Sequence, residues 1–314
     1  MQQKHTLGGH HILEQMEASR SPRRKHDIPL LYKYTSPETA KAVLLGRSLR
    51  WSSPQLFNDP FDVRRELELP FTNDELFDAL IDRFGAYLWG EGEPTNPYAK
   101  QLLAGLRIAA TRAPVEALLQ DLRRTLNISI FPMDAARQQL RAAWDGLLPI
   151  MRILCLSTDP TSPPMWAHYA SGYTGVVLGF ESSDERDSTW LLAEPVVYSD
   201  KVPSLPGADD WAKALLGEQK IDWERWLAEY HFVKSTHWSY EKEYRIHSLR
   251  KPGEEGLFAD YIFAREDLRE IILGPRASEE LEIIAKAAID VAYTRARIRR
   301  AREDRKNHRI VIED

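Results

Sequence analysis

The sequence predicts an α+β fold with a mixed, mostly antiparallel sheet at its core and two helical insertions. Short strand patterns recur before residue 60 and again after residue 150, whereas residues 72–148 and 207–236 follow helical spacing. The strands do not alternate regularly with helices, which argues against a doubly wound parallel sheet. Hydrophobic residues make up 43% and charged residues 28% of the 314-residue chain, as is typical of a globular protein.

The first elements follow in the order strand, helix and strand. Leu30–Lys33 and Leu49–Ser52 are the two strand patterns. Between them, Ser36–Glu38 has the composition of a helix start, because serine caps, proline suits the first turn and glutamate complements the helix dipole. Gly46 is expected to end this helix. The second strand leads into the loop Phe57–Phe61.

Two long helical segments interrupt the strand patterns. Apolar residues recur at helical spacing from Thr72 to about Leu148, where Asn73 is expected to cap the first helix, and again over Asp209–His231. Ser278 is expected to cap a last helix. The remaining strand patterns are Arg152–Leu156, Gly175–Glu181, Pro195–Tyr198, a hairpin-spaced series at Glu243–Leu249, Phe258–Phe263 and Arg269–Leu273, and an edge strand at Arg309–Ile312.

We expect one domain with an extension at each end. Residues 28–293 form the α+β domain with its insertions near 72–148 and 207–236, residues 1–27 form a flexible arm, and residues 294–314 form a basic segment. The basic segment has two interpretations, which are contact with a nucleic-acid backbone and a solvated helix end. One short basic run is weak support for a nucleic-acid site, so we favour the helix end.

The composition argues against several classes of protein. The single cysteine, Cys155, allows no disulfide within the chain, which favours a reducing, cytoplasmic location, and its apolar neighbours favour a buried thiol. No apolar run approaches the roughly 18 residues of a membrane span, so no membrane partner is expected. No paired-ligand spacing indicates a metal site. Walker-A, G-x-G-x-x-G, G-x-S-x-G and H-E-x-x-H motifs are absent from the sequence.

Four segments combine polar and aromatic residues near the ends of predicted strands, where binding residues tend to lie. In the first, Lys33 and Tyr34 either hold a ligand at the strand end or make a core contact beside a lysine that extends along the surface. In the second, Asn58 and Asp59 either present polar groups to a ligand or bond to the backbone of their own loop.

The third segment brings a strand end and an aromatic turn together. Ser157 ends a predicted strand, and Trp166, His168 and Tyr169 follow on a short helical turn. Aromatic rings can stack on a flat ligand, and a histidine that titrates near neutrality suits general acid–base catalysis. The alternative is a buried histidine satisfied by backbone groups.

The fourth segment contains two glutamates and an arginine at alternating positions. In a strand, Glu241, Glu243 and Arg245 would share one face, and Arg245 would keep Glu243 ionised. A fixed carboxylate can orient a ribose hydroxyl and stabilise positive charge that develops on a substrate. The alternative is a ladder of surface ion pairs.

Five motifs follow one another between about Leu30 and Leu249, with gaps at both helical insertions: LYKY, RWSSPQLFNDPFD, CLST, MWAHYASGYTGVVLGF and WSYEKEYRI. In this order they resemble a bacterial family, domain of unknown function 2971 (DUF2971). The family name implies no activity.

Three of the motifs also resemble ADP-ribosyltransferases. Tyr32–Tyr34, Leu156–Thr158 and Glu241–Glu243 occupy the order in which those enzymes carry a basic or histidine residue, a Ser-Thr or aromatic motif, and a late glutamate. Two positions depart from the pattern. Lys33 stands where arginine or histidine is expected, and Asp159 stands where the second serine of a Ser-Thr-Ser motif is expected.

This second resemblance implies an ADP-ribosyltransferase-like sheet and NAD as the substrate. Glu243 would stabilise the oxocarbenium-like state, with Glu241 and His168 as further catalytic candidates. The acceptor would be a protein, a nucleic acid or water, and such activity often belongs to toxins or phage-defence effectors. The candidates for binding NAD are Lys33, Tyr34, Ser52, Asn58, Asp59, Ser157, Trp166, Tyr169 and Arg245.

Two other functions compete with this one. A metal-dependent nucleic-acid processing enzyme would bind its metal through Asp59, Asp62 and Glu243 and grip phosphates with the basic segment. A non-catalytic nucleotide- or ligand-sensing module would use the tryptophans between Trp211 and Trp238 as a partner surface. The sequence predicts no oligomeric state.

Overall fold

The computed structural model describes residues 21–64, 69–129 and 133–313. They fall into two compact units. The sheet unit consists of the described parts of Met1–Val63, Leu148–Asp200 and Phe232–Asp314, and the helical unit consists of those of Arg64–Leu147 and Lys201–His231. No helix of the described ranges is long and apolar enough to cross a membrane.

The sheet unit is built on a ten-stranded sheet, in which eight strands follow the order β12-β11-β10-β4-β1-β3-β2-β9, while β8 pairs with β3 and β5 with β8. Every pairing in this sheet is antiparallel except that of β10 with β11, so the α+β class and the mixed, mostly antiparallel sheet are confirmed. The strands are β1 (Leu30–Thr35), β2 (Ser48–Ser52), β3 (Met151–Ser157), β4 (Val176–Glu181), β5 (Glu194–Pro195), β6 (Val197–Tyr198), β7 (Val233–Lys234), β8 (Glu243–Leu249), β9 (Phe258–Ile262), β10 (Leu268–Leu273), β11 (Arg297–Asp304) and β12 (Arg309–Glu313).

Capping residues define the starts of several α-helices. Ser36 caps the first helix by accepting a hydrogen bond from the Thr39 backbone, and Gly46 is its last residue, followed by Arg47 in the left-handed conformation. Thr72, not Asn73, caps the second helix, through a reciprocal capping box with Glu75. The helices are α1 (Pro37–Gly46), α2 (Asn73–Leu88), α3 (Pro97–Ala109), α4 (Val115–Ser129), α5 (Met133–Leu147), α6 (Pro163–Tyr169), α7 (Ala208–Leu216), α8 (Trp223–Phe232) and α9 (Glu279–Val291).

The two faces of the main sheet have different coverings. On β4, Val176, Leu178 and Phe180 belong to the larger core cluster, which also contains buried residues of α1 and α9. Val177, between them, belongs to a smaller cluster with Trp166 of α6. This alternation follows from the two-residue period of a strand. The core cluster on the α6 face is therefore the smaller of the two.

The helical unit has its own core. Residues of α2, α3, α4 and α7 pack together there, with Leu76, Phe84 and Leu103 among the most buried. A chain of aromatic contacts also runs through this unit, from Trp211 through Trp223 and on to Trp226. These tryptophans therefore contribute to packing within the unit.

The basic segment differs from the expected helix end. Helix α9 ends at Val291, and the arginines that follow lie on β11 and β12, which extend the main sheet. Alternation explains this, since Ala301 and Ile310 are buried while the arginines between them reach carboxylates at the surface. Arg302, for example, pairs with Glu313 at 2.6 Å.

Two further expectations need correction. The strands β8, β9 and β10 do not form hairpins with one another, because β8 pairs with β3, β9 with β2 and β10 with β4. The expected flexible arm is bound to the sheet unit from Ser21 onward, where Arg24 forms an ion pair with Asp184 at 2.7 Å. Residues 1–20 of that arm lie outside the described residues.

Gly175 gives a direct test of how closely the start of β4 approaches β1. A Cβ atom at this position would lie 2.0 Å from the carbonyl oxygen of Thr35, which cannot move without disturbing the sheet. We expect Gly175→Ala to lower the free energy of unfolding by about 1 to 3 kcal/mol, measured by urea denaturation. Gly46→Ala is the control, because its Cβ would meet only Ser48 Oγ at 3.6 Å. Equal effects of the two substitutions would contradict this packing.

Candidate functional site

A cavity of about 410 Å³ opens on the α6 face of the sheet unit. Strand alternation creates it. On β3, Ile153, Cys155 and Ser157 line the cavity, whereas Leu154 and Leu156 belong to the larger core cluster and only Leu156 of these two also reaches the lining. The residues that line the cavity are Tyr32, Lys33, Tyr34, Arg50, Ser52, Leu56, Phe57, Asn58, Asp62, Ile153, Cys155, Leu156, Ser157, Met165, His168, Tyr169, Lys234, Glu241 and Glu243.

Five charged side chains form a buried network beneath this cavity, and we call it the charge cluster: Asp62, Lys234, Glu241, Glu243 and Arg245. They come from the loop after β2, from β7, from the 3-10 helix Thr236–Glu241 and from β8. Three carboxylates face two cations. Charges buried in this way are stable only when they are paired and hydrogen-bonded.

Arg245 lies at the centre of the charge cluster. Its side chain is 0% exposed, and it donates to Asp62 at 2.6 and 3.0 Å and to Glu243 at 2.8 and 3.1 Å. Phe57 stacks over the guanidinium at 5.5 Å. Only a planar, forked cation can serve two carboxylates in this way. Arg245 thus fixes the loop that contains Asp62 to strand β8.

Lys234 bridges the two glutamates. It is 5% exposed, and its Nζ lies 2.5 Å from Glu241 Oε2 and 3.0 Å from Glu243 Oε2. Asp62 Oδ2 is further away, at 3.8 Å. The sequence motifs did not indicate this residue. The signal that could have found it is a lysine directly after the apolar residues Phe232 and Val233, seven residues before Glu241.

The two glutamates differ in what holds them. Both oxygens of Glu243 accept from Arg245, and Oε2 also accepts from Lys234. Burial alone would raise the pKa of Glu243, but the Arg245 and Lys234 charges outweigh burial and lower it below its usual value. Glu243 is therefore ionised and fully occupied within the protein.

Glu241 has a freer carboxylate. The strand pattern predicted that Glu241 lies on a strand with Glu243, but it lies at the end of the 3-10 helix. It still belongs to the charge cluster. Its Oε2 accepts from Lys234 and its Oε1 from the Tyr169 hydroxyl, at 2.7 Å. Burial raises the pKa of Glu241 above its usual value, and the Glu243 charge adds to this while Lys234 opposes it.

A polar aromatic wall stands beside Glu241. The Tyr169 hydroxyl also accepts from Asn58 Nδ2 at 3.2 Å, so α6 is joined to the Asn58 loop. His168 is exposed at the cavity, and its Nδ1 lies 3.3 Å from the Tyr240 hydroxyl. Burial and the Glu241 charge raise the pKa of Tyr169, which keeps its hydroxyl protonated as a donor.

The β1 and β3 motifs supply the opposite side. Lys33 Nζ donates to the Cys155 carbonyl at 2.8 Å, and Tyr34 donates to the Asp159 carbonyl at the same distance. Ser157 Oγ donates to the Glu241 carbonyl at 2.6 Å. The register of β3 with β8 places Ser157 directly opposite Glu243. Motifs that are distant in sequence thus meet at one cavity.

Three of the expected ligand-binding residues do not line the cavity. Trp166 is 0% exposed, donates to the Pro160 carbonyl and packs edge-on against Tyr34, so it is a core residue. Asp59 is buried, and its Oδ1 accepts from the Phe61 backbone within its own loop. Arg245 lies beneath the cavity. The lining includes the other candidates, which are Lys33, Tyr34, Ser52, Asn58, Ser157, His168, Tyr169, Glu241 and Glu243.

Two of the three carboxylates of the predicted metal site, Asp62 and Glu243, are paired with cations in the charge cluster. Within the described ranges, no group of three or more His, Cys, Asp or Glu side chains is arranged to hold a metal ion. Asp62 and Glu243 are neutralised by Arg245 instead. Asp59, the remaining ligand of the predicted metal site, accepts a hydrogen bond from its own loop at Oδ1, while its buried Oδ2 has no hydrogen-bond partner among the described residues.

Removal of Arg245 tests how far the fold depends on the charge cluster. Arg245→Met would leave Asp62 and Glu243 buried without their main partner, so we expect a loss of about 3 to 5 kcal/mol in unfolding free energy at pH 7. Arg302→Met is the control, because its ion pair with Glu313 is exposed and should matter little. Similar losses in both variants, measured by urea denaturation, would contradict the central role of Arg245.

Comparison with known proteins identifies one family. No curated protein and no solved structure matches the chain. A family model matches residues 165–246, a range that includes α6, Lys234 and the Glu-x-Glu segment. The LYKY and FNDPFD motifs lie before the matched range. Residues 165–246 are thus similar to the family described as "Protein of unknown function (DUF2971)", which is the family that the motifs resemble.

Proposed function

We propose that the cavity binds NAD and that the protein is an NAD-consuming enzyme of the ADP-ribosyltransferase type. One observation carries the proposal: the β1, β3 and Glu-x-Glu motifs, which resemble that class in their order, line a single cavity. Its volume of about 410 Å³ lies in the range of small-molecule sites.

The charges around the cavity suit the two ends of NAD. Glu241 and Glu243 match a nicotinamide ring that is positively charged until it leaves the ribose. Lys33 and Arg50 line the same cavity and match the anionic pyrophosphate. The aromatic wall of His168 and Tyr169 can flank the nicotinamide.

The proposed reaction breaks the bond between ribose C1′ and the nicotinamide nitrogen. Nicotinamide leaves with the bonding electrons and becomes neutral, and the positive charge develops on the ribose. A carboxylate beside C1′ stabilises that charge. The acceptor (water, or a group on a protein or nucleic acid) then bonds to C1′ and releases its proton to a base.

We assign the stabilising role to Glu241 and not to Glu243, which the sequence favoured. Glu243 has both oxygens occupied by Arg245 and Lys234, so it cannot approach a substrate without breaking the charge cluster. Glu241 Oε1 is held only by the Tyr169 hydroxyl among the described contacts, and the cavity lies beside it. Glu243 instead supports the cluster.

The same proposal includes a cellular setting. A cytoplasmic location suits NAD as substrate and a chain with a single cysteine, Cys155. A role as a toxin or phage-defence effector follows from the resemblance to ADP-ribosyltransferases alone. A protein, a nucleic acid and water all stay open as acceptors.

Nicotinamide release from NAD tests the proposal, with and without cell extract as a source of acceptors. We expect release by the wild-type protein and a loss of about 100-fold or more in Glu241→Gln, because one charge-stabilising group is removed. Glu185→Gln is the control, since this glutamate is exposed and does not line the cavity. No nicotinamide release by the wild-type protein under either condition would contradict the proposal. Binding of NAD without release would favour the ligand-sensing alternative.

A further inference from the structure

Lys234 has the most acidic surroundings of the cations at the cavity. Its ammonium faces Glu241, Glu243 and Asp62, and it lies 5.1 Å from the centre of the Trp238 ring. A lysine that is 5% exposed needs such pairing to stay charged. Burial would lower the pKa of Lys234, but the carboxylates of Glu243, Glu241 and Asp62 outweigh burial and raise it.

The glutamates depend on Lys234 to different degrees. Glu243 also contacts Arg245, so it would keep a cationic partner without the lysine. Glu241 forms its only ion pair within the described residues with Lys234. Its other partner, Tyr169, is a neutral donor. An ionised Glu241 in this buried position therefore rests on one ammonium.

The same contact also orients the carboxylate. Lys234 binds Oε2 of Glu241, which leaves Oε1 on the side of Tyr169. The other charged or titratable groups packed around Glu241 are Glu243, Arg245, Tyr169, Tyr198 and Tyr240. Arg245 is the cation among these, and its described hydrogen bonds are to Asp62 and Glu243 and not to Glu241.

We propose that Lys234 is a positioning residue, which keeps Glu241 ionised at neutral pH and directs its Oε1 into the cavity. This inference rests on the proposed function, because it explains how Glu241 can act as the stabilising carboxylate. It also makes a claim about the free protein, which holds whether or not NAD is the substrate.

The test is a carboxyl-carbon NMR titration of Glu241 in the free protein, with the signal identified by its absence in Glu241→Gln. Without the ammonium, burial and the Glu243 charge still raise the pKa of Glu241, and only the weaker effect of the Tyr169 hydrogen bond opposes them among the described contacts. We expect its titration midpoint to rise by about 1 to 3 pH units in Lys234→Met. If Lys234→Met does not fold, Lys234→Gln replaces it, because the amide can still donate to Glu241 without a charge. The same rise is expected there.

Lys242→Met is the matched control, since Lys242 lies in the same segment but is exposed and pairs with Asp159 at 2.9 Å. We expect it to leave the Glu241 midpoint unchanged. An unchanged midpoint in the Lys234 variant, or an equal rise in Lys242→Met, would overturn the inference. No NAD is present in this titration. Its failure therefore differs from that of the proposed function, which is a lack of nicotinamide release by the wild type.

Discussion

The candidate site depends on one buried guanidinium. Arg245 is fully buried, and its ion pairs with Asp62 and Glu243 offset the energetic cost of removing its charge from water. These partners come from a loop near residue 60 and from the same strand as the arginine, so the contact fixes the loop against the sheet. The floor of the cavity exists because these charges are satisfied by one another.

The charge cluster also gives Glu241 and Glu243 different roles. A carboxylate that is fully hydrogen-bonded by cations is a good structural anchor and a poor catalytic group, and Glu243 has that character. Glu241 is bound on one oxygen by a cation and on the other by a tyrosine hydroxyl. Two residues of the same type, two positions apart, thereby acquire different chemical characters from their surroundings.

Much of the sheet was predictable from local patterns, because strands buried on both faces read as apolar runs. Strand β11 was missed, since its arginines hide the alternation in which only Ala301 is fully buried. The pairing of β8 with β3 was unpredictable for another reason: it joins residues that are about 90 positions apart. Local spacing favoured a hairpin there.

The sequence predicted which segments form the site, but not the role of each residue in it. The order of the motifs indicated that Lys33, Asn58, His168 and Glu243 belong to one site, and all four line the cavity. The burial of Trp166 could not be read from its neighbours, because an aromatic residue on a short helix can face either way. Lys234 was missed because one lysine after two apolar residues is a weak signal, and its role exists only through partners in the folded chain.

A crystal structure with a non-hydrolysable NAD analogue, in which a carbon atom replaces the ring oxygen of the nicotinamide ribose, tests the central claim most directly. We expect the analogue to occupy this cavity with its C1′ beside Glu241 Oε1, while Glu243 keeps its contacts with Arg245 and Lys234. An analogue bound elsewhere, or one whose C1′ lies against Glu243 with the charge cluster opened, would contradict it.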